Sequence, residues 1–86
     1  MAELVVHKRA ARYLQRMDAR TKAQLVSKLG ELAQNPDAMP GVKPMFGDWA
    51  GHFRLRHGDL RVIYLFDRAA GIVVIAHIGP RGDVYK

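Results

Sequence analysis

Hydrophobic and polar positions change period twice along this chain. Leu4-Val5-Val6 is a short β-branched run that predicts a first or edge strand. From Ala10 the spacing is helical: Ala10, Tyr13, Leu14 and Met17 fall at i, i+3, i+4 and i+7 on one stripe. Arg9, Arg12 and Arg16 take much of the remaining circumference. Asp18 is placed to N-cap a second helix, whose apolar stripe is Leu25, Leu29 and Leu32 with Val26 and Ala33 beside it. Asn35-Pro36 ends that helix, because the residue before a proline avoids the helical region. So short a connection between the helices predicts an antiparallel hairpin.

Residues 35–51 hold three prolines and three glycines and read as one long irregular segment. Its Trp49 is expected to cap the core, the commoner role of a lone tryptophan. From His52 the period becomes two. His52-Phe53-Arg54-Leu55-Arg56-His57 alternates as a half-buried strand. Gly58-Asp59 follows, glycine first, which suits a type II′ hairpin turn. Leu60 to Phe66 is apolar on both faces and predicts a central, covered strand; Ile72 to Ile78 closes the meander after a turn at Asp67–Gly71. The fold class is therefore α+β, in the order β-α-α-β-β-β. A helical hairpin packs on one face of a small, mainly antiparallel sheet, in a single domain over 1–86. Periodicity leaves the direction of the first strand open.

A two-residue turn at Gly58-Asp59 fixes a register. His57 faces Leu60, Arg56 faces Arg61, Leu55 faces Val62, Arg54 faces Ile63 and Phe53 faces Tyr64. Directly opposed residues share a sheet face. Phe53, Leu55, Val62 and Tyr64 then form an apolar face for the helices. Arg54, Arg56 and Arg61 gather on the other, with His52 at its far end. Like charges in direct opposition cost about 0.2–1 kcal/mol per pair. Such a cluster, with no acid inside the strand pair, has the composition of a phosphate site. It equally fits a solvated face whose guanidinium groups splay apart.

Charge points the same way. Fourteen Lys and Arg against eight Asp and Glu give a formal net charge of +6, which favours an anionic partner. There are no cysteines, so disulfides and thiolate metal sites are excluded. The apolar start is too short for a signal peptide. No run approaches the roughly 20 apolar residues of a membrane span. A cytoplasmic protein with no membrane partner is expected.

Arg54-Leu55-Arg56-His57-Gly58-Asp59-Leu60-Arg61-Val62-Ile63-Tyr64, followed by Ile78-Gly79-Pro80-Arg81-Gly82-Asp83-Val84-Tyr85, resembles the C-terminal half of the RelE/ParE toxin superfamily. That family has a basic strand, a Gly-Asp-aromatic-Arg turn into an apolar strand, and a closing Ile-Gly-His-Arg-x-x-Val-Tyr segment. Its element order is the same, so the resemblance spans essentially the whole chain. It implies the toxin of a type II toxin–antitoxin system, a ribosome-dependent mRNA endonuclease held inactive by a cognate antitoxin. The toxin alone would be a monomer, assembling into oligomers through the antitoxin. No metal or cofactor is implied. A ribose 2′-hydroxyl attacks the neighbouring phosphate and leaves a 2′,3′-cyclic phosphate.

The resemblance also assigns roles. Arg61 matches the arginine that stabilises the phosphate, Arg81 the one linked to the leaving group, and Tyr85 the tyrosine that stacks on or orients the nucleotide. His52 and Arg54 match two strand positions that are often lysines. Arginine stays protonated, whereas histidine can exchange a proton near neutral pH, so His52 is the candidate base. An ordinary exposed strand histidine fits that position equally well. Pro80 stands where many members carry histidine. Arg56, His57 and Lys86 are candidate RNA contacts, and His77, on an apolar strand, is expected to be structural. Two other readings remain: a ParE-type inhibitor of DNA gyrase, which would lack the full Arg/Arg/Tyr set, and a non-catalytic nucleic-acid-binding module.

Overall fold

The computed structural model describes residues 2–37 and 39–80. Its elements are β1 (Glu3–Val6), α1 (Lys8–Gln15), α2 (Ala19–Gln34), β2 (Val42–Pro44), a 3-10 turn (Gly47–Trp49), β3 (Phe53–His57), β4 (Leu60–Asp67) and β5 (Ile72–Pro80). The five strands run β1-β5-β4-β3-β2 across one sheet. β4 is central, as its apolar character predicts, and β1 joins β5 in parallel at one edge.

Each helix starts on a side chain that accepts a hydrogen bond. His7 Nδ1 accepts the Arg9 N–H at 3.2 Å, and Asp18 Oδ2 accepts the Thr21 N–H at 3.0 Å, each satisfying a donor the helix itself leaves unpaired. The α1 cap at His7 lies ahead of the first apolar position, Ala10, so the apolar spacing does not announce it. α1 ends at Gln15. Met17 therefore lies in the connection, yet it still packs on the core with Tyr13 and Leu14. In α2, Leu25, Leu29, Leu32 and Ala33 are buried, while Val26 turns out to solvent.

One core lies between the helices and the sheet. Ala10, Leu25, Leu29 and Leu32 meet Leu55, Val62, Tyr64, Val73, Ile75 and Ile78. Gly58 has φ +58°, while no residue other than glycine has a positive φ among those described. Positive φ at the first central residue alone is the type II′ pattern. The observed register is Phe53↔Tyr64, Arg54↔Ile63, Leu55↔Val62, Arg56↔Arg61 and His57↔Leu60, as the two-residue turn requires.

Two features depart from the sequence reading. The segment 35–51 is not wholly irregular. Val42, Lys43 and Pro44 pair with Leu55, Arg54 and Phe53 as an edge strand, and Gly47–Trp49 forms a 3-10 turn. Three residues, one of them proline, carry no detectable period, and proline is tolerated because the strand is at an edge. The other feature is a bulge. β4 pairs Ile63 with His77 but Tyr64 with Ile75, which leaves Ala76 without an opposite number. Beyond Ala76, β5 resumes with its faces exchanged.

Tyr64 is fully buried and stacks on Phe53 at 5.7 Å between ring centroids. Its hydroxyl has no hydrogen-bond partner among the described residues. Burial, with a smaller contribution from the Asp37 charge, pushes its pKa up to about 12 from an ordinary 10. The neutral phenol is thus favoured by folding. That contribution is complete below pH 10 and is lost as pH rises toward 12. Tyr64→Phe removes a buried hydroxyl that costs about 1–3 kcal/mol if unsatisfied. Thermal melts followed by circular dichroism should show an unchanged or higher Tm at pH 7, and a shallower loss of stability between pH 10 and 12 than in the wild type. A fall of more than about 5 °C at pH 7, roughly 1 kcal/mol in a domain this small, would mean that the hydroxyl is hydrogen-bonded.

Candidate functional site

The helices cover one face of the sheet, and the other carries the cations. Successive side chains on a strand alternate between faces, and Leu55, Val62 and Tyr64 are in the helix-facing core. Arg54 and Arg56 therefore lie on the opposite face, and so do Arg61 and Ile63. Register extends that face into rows. Lys43, Arg54, Ile63 and His77 form one row; Arg56, Arg61 and Gly79 form the next. Four cations thus occupy two adjacent rows, about 7 Å apart along the strands. No acidic residue holds a position in either row. By the same alternation Glu3 and Asp67 fall on this face at its far end, beside Ile72.

Lys43 was not among the residues singled out by sequence, because β2 carries no period. Only its pairing with Arg54 reveals it. His57 resolves differently from Arg56: it pairs with Leu60, one position on, and so lies on the helix side of the sheet at the end of the hairpin. The arginine face and His57 do not come together.

Exposure grades across the cluster. Lys43 and Arg56 are exposed, Arg54 is half-buried, and Arg61 is only 3% exposed. The splayed, solvated face thus describes Lys43 and Arg56 but not Arg61. Gly79 stands directly opposite Arg61 on β5 and adds no side chain to that row. Nε and Nη1 of Arg61 are withdrawn from solvent, although a guanidinium fork is in general suited to two oxygens of one phosphate.

A second, smaller core borders these rows. Met45 and Trp49, from the β2–β3 connection, pack on Ile63. Trp49 also touches His52 edge-on at 5.3 Å and His77 at 6.2 Å between ring centroids. It caps a core, as expected, though on the sheet face away from the helices. His77 lies in the same row as Arg54, half-buried, and its Nε2 has no hydrogen-bond partner among the described residues. His52 is held by Trp49, with Nδ1 3.5 Å from the Ala50 carbonyl oxygen. It precedes β3, so it lies about 7 Å along the strand from Arg54 and about 13 Å from the Arg56·Arg61 row. Arg81, Tyr85 and Lys86 lie outside the described residues.

Away from this face, Asp37 and Arg68 form an exposed ion pair between the α2–β2 and β4–β5 connections. The Arg68 guanidinium holds the Asp37 carboxyl below its usual range and lies 5.0 Å from the centroid of the Phe66 ring. Among the described residues no three His, Asp or Glu side chains converge to hold a metal, and no helix is long and apolar enough to cross a membrane.

Comparison with known proteins gives the same fold a context. The family model described as ParE toxin of type II toxin–antitoxin system, parDE, matches residues 4–85. No curated protein sequence matches. Among solved structures, the RelBE2 toxin–antitoxin complex of Mycobacterium tuberculosis is similar at 28% identity and a TM-score of 0.80, covering 93% of this chain and 98% of that one. The archaeal RelE–RelB complex of Pyrococcus horikoshii is similar at 24% identity and TM-score 0.81, over 95% and 97% of the two chains. The isolated RelE toxin of E. coli shares the fold at 19% identity and TM-score 0.78, over 99% and 92%.

Proposed function

This chain belongs to the ParE toxin family of type II toxin–antitoxin systems, and from that premise we propose that it is an RNA-directed toxin that cleaves mRNA on the ribosome without a metal. The observation that carries the proposal is the pair of cationic rows, Lys43·Arg54 and Arg56·Arg61, on the sheet face the helices leave open. A phosphodiester backbone is the ligand that four closely set cations, two of them in the outer part of the cluster, would draw in.

The chemistry divides among a few groups. The 2′-oxygen attacks the adjacent phosphorus as a base removes its proton. The bond to the 5′-oxygen breaks as that oxygen gains one, and a 2′,3′-cyclic phosphate remains. Arg61, which is buried, stabilises the charge on the phosphorane oxygens. Arg54, Arg56 and Lys43 bind the flanking backbone. His52 is the proposed proton acceptor, since a histidine can take up a proton near neutral pH and the arginines of the cluster stay protonated. Arg81 is assigned to the leaving oxygen and Tyr85 to the nucleotide; Lys86 remains a proposed RNA contact, whereas His57, on the helix side of the sheet, is given no contact with RNA on the arginine face. Several similar structures are toxin–antitoxin complexes, which supports a cognate antitoxin as partner. With this charge on the toxin, an acidic, amphipathic antitoxin segment that orders on binding is the form expected.

A second reading draws on two observations: the matching family model is the ParE one, and Arg61 is buried, as a structural arginine would be. It makes the protein an inhibitor of DNA gyrase that cuts no RNA. Incubation with programmed, translating ribosomes, and separately with gyrase and supercoiled DNA, separates the two. Cleaved mRNA with 2′,3′-cyclic phosphate ends supports the nuclease, and blocked supercoiling with intact mRNA supports the inhibitor.

In single-turnover cleavage on ribosomes, Arg61→Ala should lose at least about a hundredfold, equivalent to roughly 2.7 kcal/mol of transition-state stabilisation. Because Arg61 is buried, alanine also removes packing, so Arg61→Lys is the cleaner variant. It keeps the charge, loses the planar fork, and should recover part of the rate. Full cleavage by either variant would remove Arg61 from the mechanism. For Tyr85, alanine should weaken cleavage strongly with Tm nearly unchanged, while phenylalanine keeps stacking and loses whatever the hydroxyl contributes. A large fall in Tm with the rate intact would instead make Tyr85 a core residue.

A further inference from the structure

Phe46 is the most exposed large apolar side chain among the described residues, at 81%. Its backbone is nevertheless fixed on both sides. Met45, just before it, is buried against Ile63 and donates its N–H to the His52 carbonyl at 2.9 Å. Gly47, just after it, has φ +68° and opens the 3-10 turn, which the Ala50 N–H closes on the Gly47 carbonyl at 3.0 Å. Trp49, two residues further on, packs on the same Ile63. An aromatic ring is thus displayed between two anchors seated on the cationic face, three residues along the chain from Lys43.

Exposing so large an apolar side chain forgoes about 1.5–3 kcal/mol of burial. A ring held out on a fixed turn beside cations matches single-stranded nucleic-acid sites, where aromatic faces stack bases and cations track the backbone. Of its chain neighbours Met45 is buried and Pro44, Gly47 and Asp48 are exposed; none adds a second large exposed apolar side chain beside the ring, whereas the hot spots of protein interfaces cluster. Rigid presentation lowers the ordering cost of binding.

We propose that Phe46 is a nucleobase-stacking residue, which holds a base of the RNA strand whose phosphates lie on the Lys43·Arg54 and Arg56·Arg61 rows. This rests on the RNA-directed reading above and adds to it a contact that selects single-stranded RNA, since bases paired in a duplex offer no free face.

The test is fluorescence anisotropy of the purified protein with a labelled, uncleavable ten-nucleotide 2′-O-methyl oligonucleotide, single-stranded and as a duplex. Phe46→Leu keeps an apolar side chain and loses the ring, and should weaken single-strand binding roughly 5- to 150-fold. Its salt dependence should not change, because no cation is removed, whereas Arg56→Ala should lower the slope by about 0.7. Phe46→Trp should restore affinity to within about twofold of wild type, since a larger ring still stacks. Equal binding by wild type and Phe46→Leu, or loss of antitoxin binding in Phe46→Leu with RNA binding intact, overturns the assignment of Phe46 and leaves the RNA reading standing. No binding of either oligonucleotide by the wild type, with gyrase inhibited, overturns both.

Discussion

The register of β3 on β4 is the constraint from which the rest of this molecule follows. Because side chains alternate strictly on a strand, a slip of one residue would send Phe53 and Leu55 to the open face and bring Arg54 and Arg56 under the helices. A single two-residue turn prevents that slip. Gly58 adopts φ +58°, a conformation that costs glycine little and other residues much. The apolar face then meets Leu25, Leu29 and Leu32, while the charged face is turned away from the helices. Core and site are two sides of the same choice.

The open face is not left bare, and its partial cover explains how a charged cluster persists on a small domain. Met45 and Trp49 fold back over Ile63 and give β4 an apolar roof on its second side, which is why β4 is apolar on both faces in sequence. On the same face Arg61 is withdrawn from solvent while Arg56 and Lys43 remain in it. Opposed like charges repel less when water screens one member of the pair. Burying both arginines of the Arg56·Arg61 pair would cost more than the domain could spare.

Most of this architecture was readable from period and turn chemistry. The helical stripe from Ala10, the Asp18 cap, the glycine-first turn and the membership of each face in β3 and β4 all follow from local rules, because each depends on residues a few positions apart. What was not legible depends on pairing between distant segments. Lys43 joins the cluster only because a three-residue strand finds β3. The depth of Arg61, only 3% exposed, is a matter of packing across the sheet that its own strand does not display. Its place beside the turn offers His57 as an RNA contact, but its pairing with Leu60 sets it on the helix side of the sheet. His7 escaped notice as a cap because histidine is not among the side chains that habitually start helices. The likeness to RelE/ParE toxins, carried by the turn and the closing segment, extends to the family that matches residues 4–85.

The unpaired Ala76 has a consequence for how this chain can change. It works as a spatial frame shift: before it Val73 and Ile75 feed the core, and after it Ile78 does, while His77 and Gly79 turn to the cationic side. Deleting Ala76 would simply flatten the bulge: Ile75 and His77 would become neighbours opposite Tyr64 and Ile63, with Ile78 still in the core and His77 and Gly79 still on the cationic side. Adding a residue there, or losing one more, would instead turn His77 inward and Ile78 outward. The strand therefore carries one residue of slack, and it tolerates shortening by one where it does not tolerate lengthening.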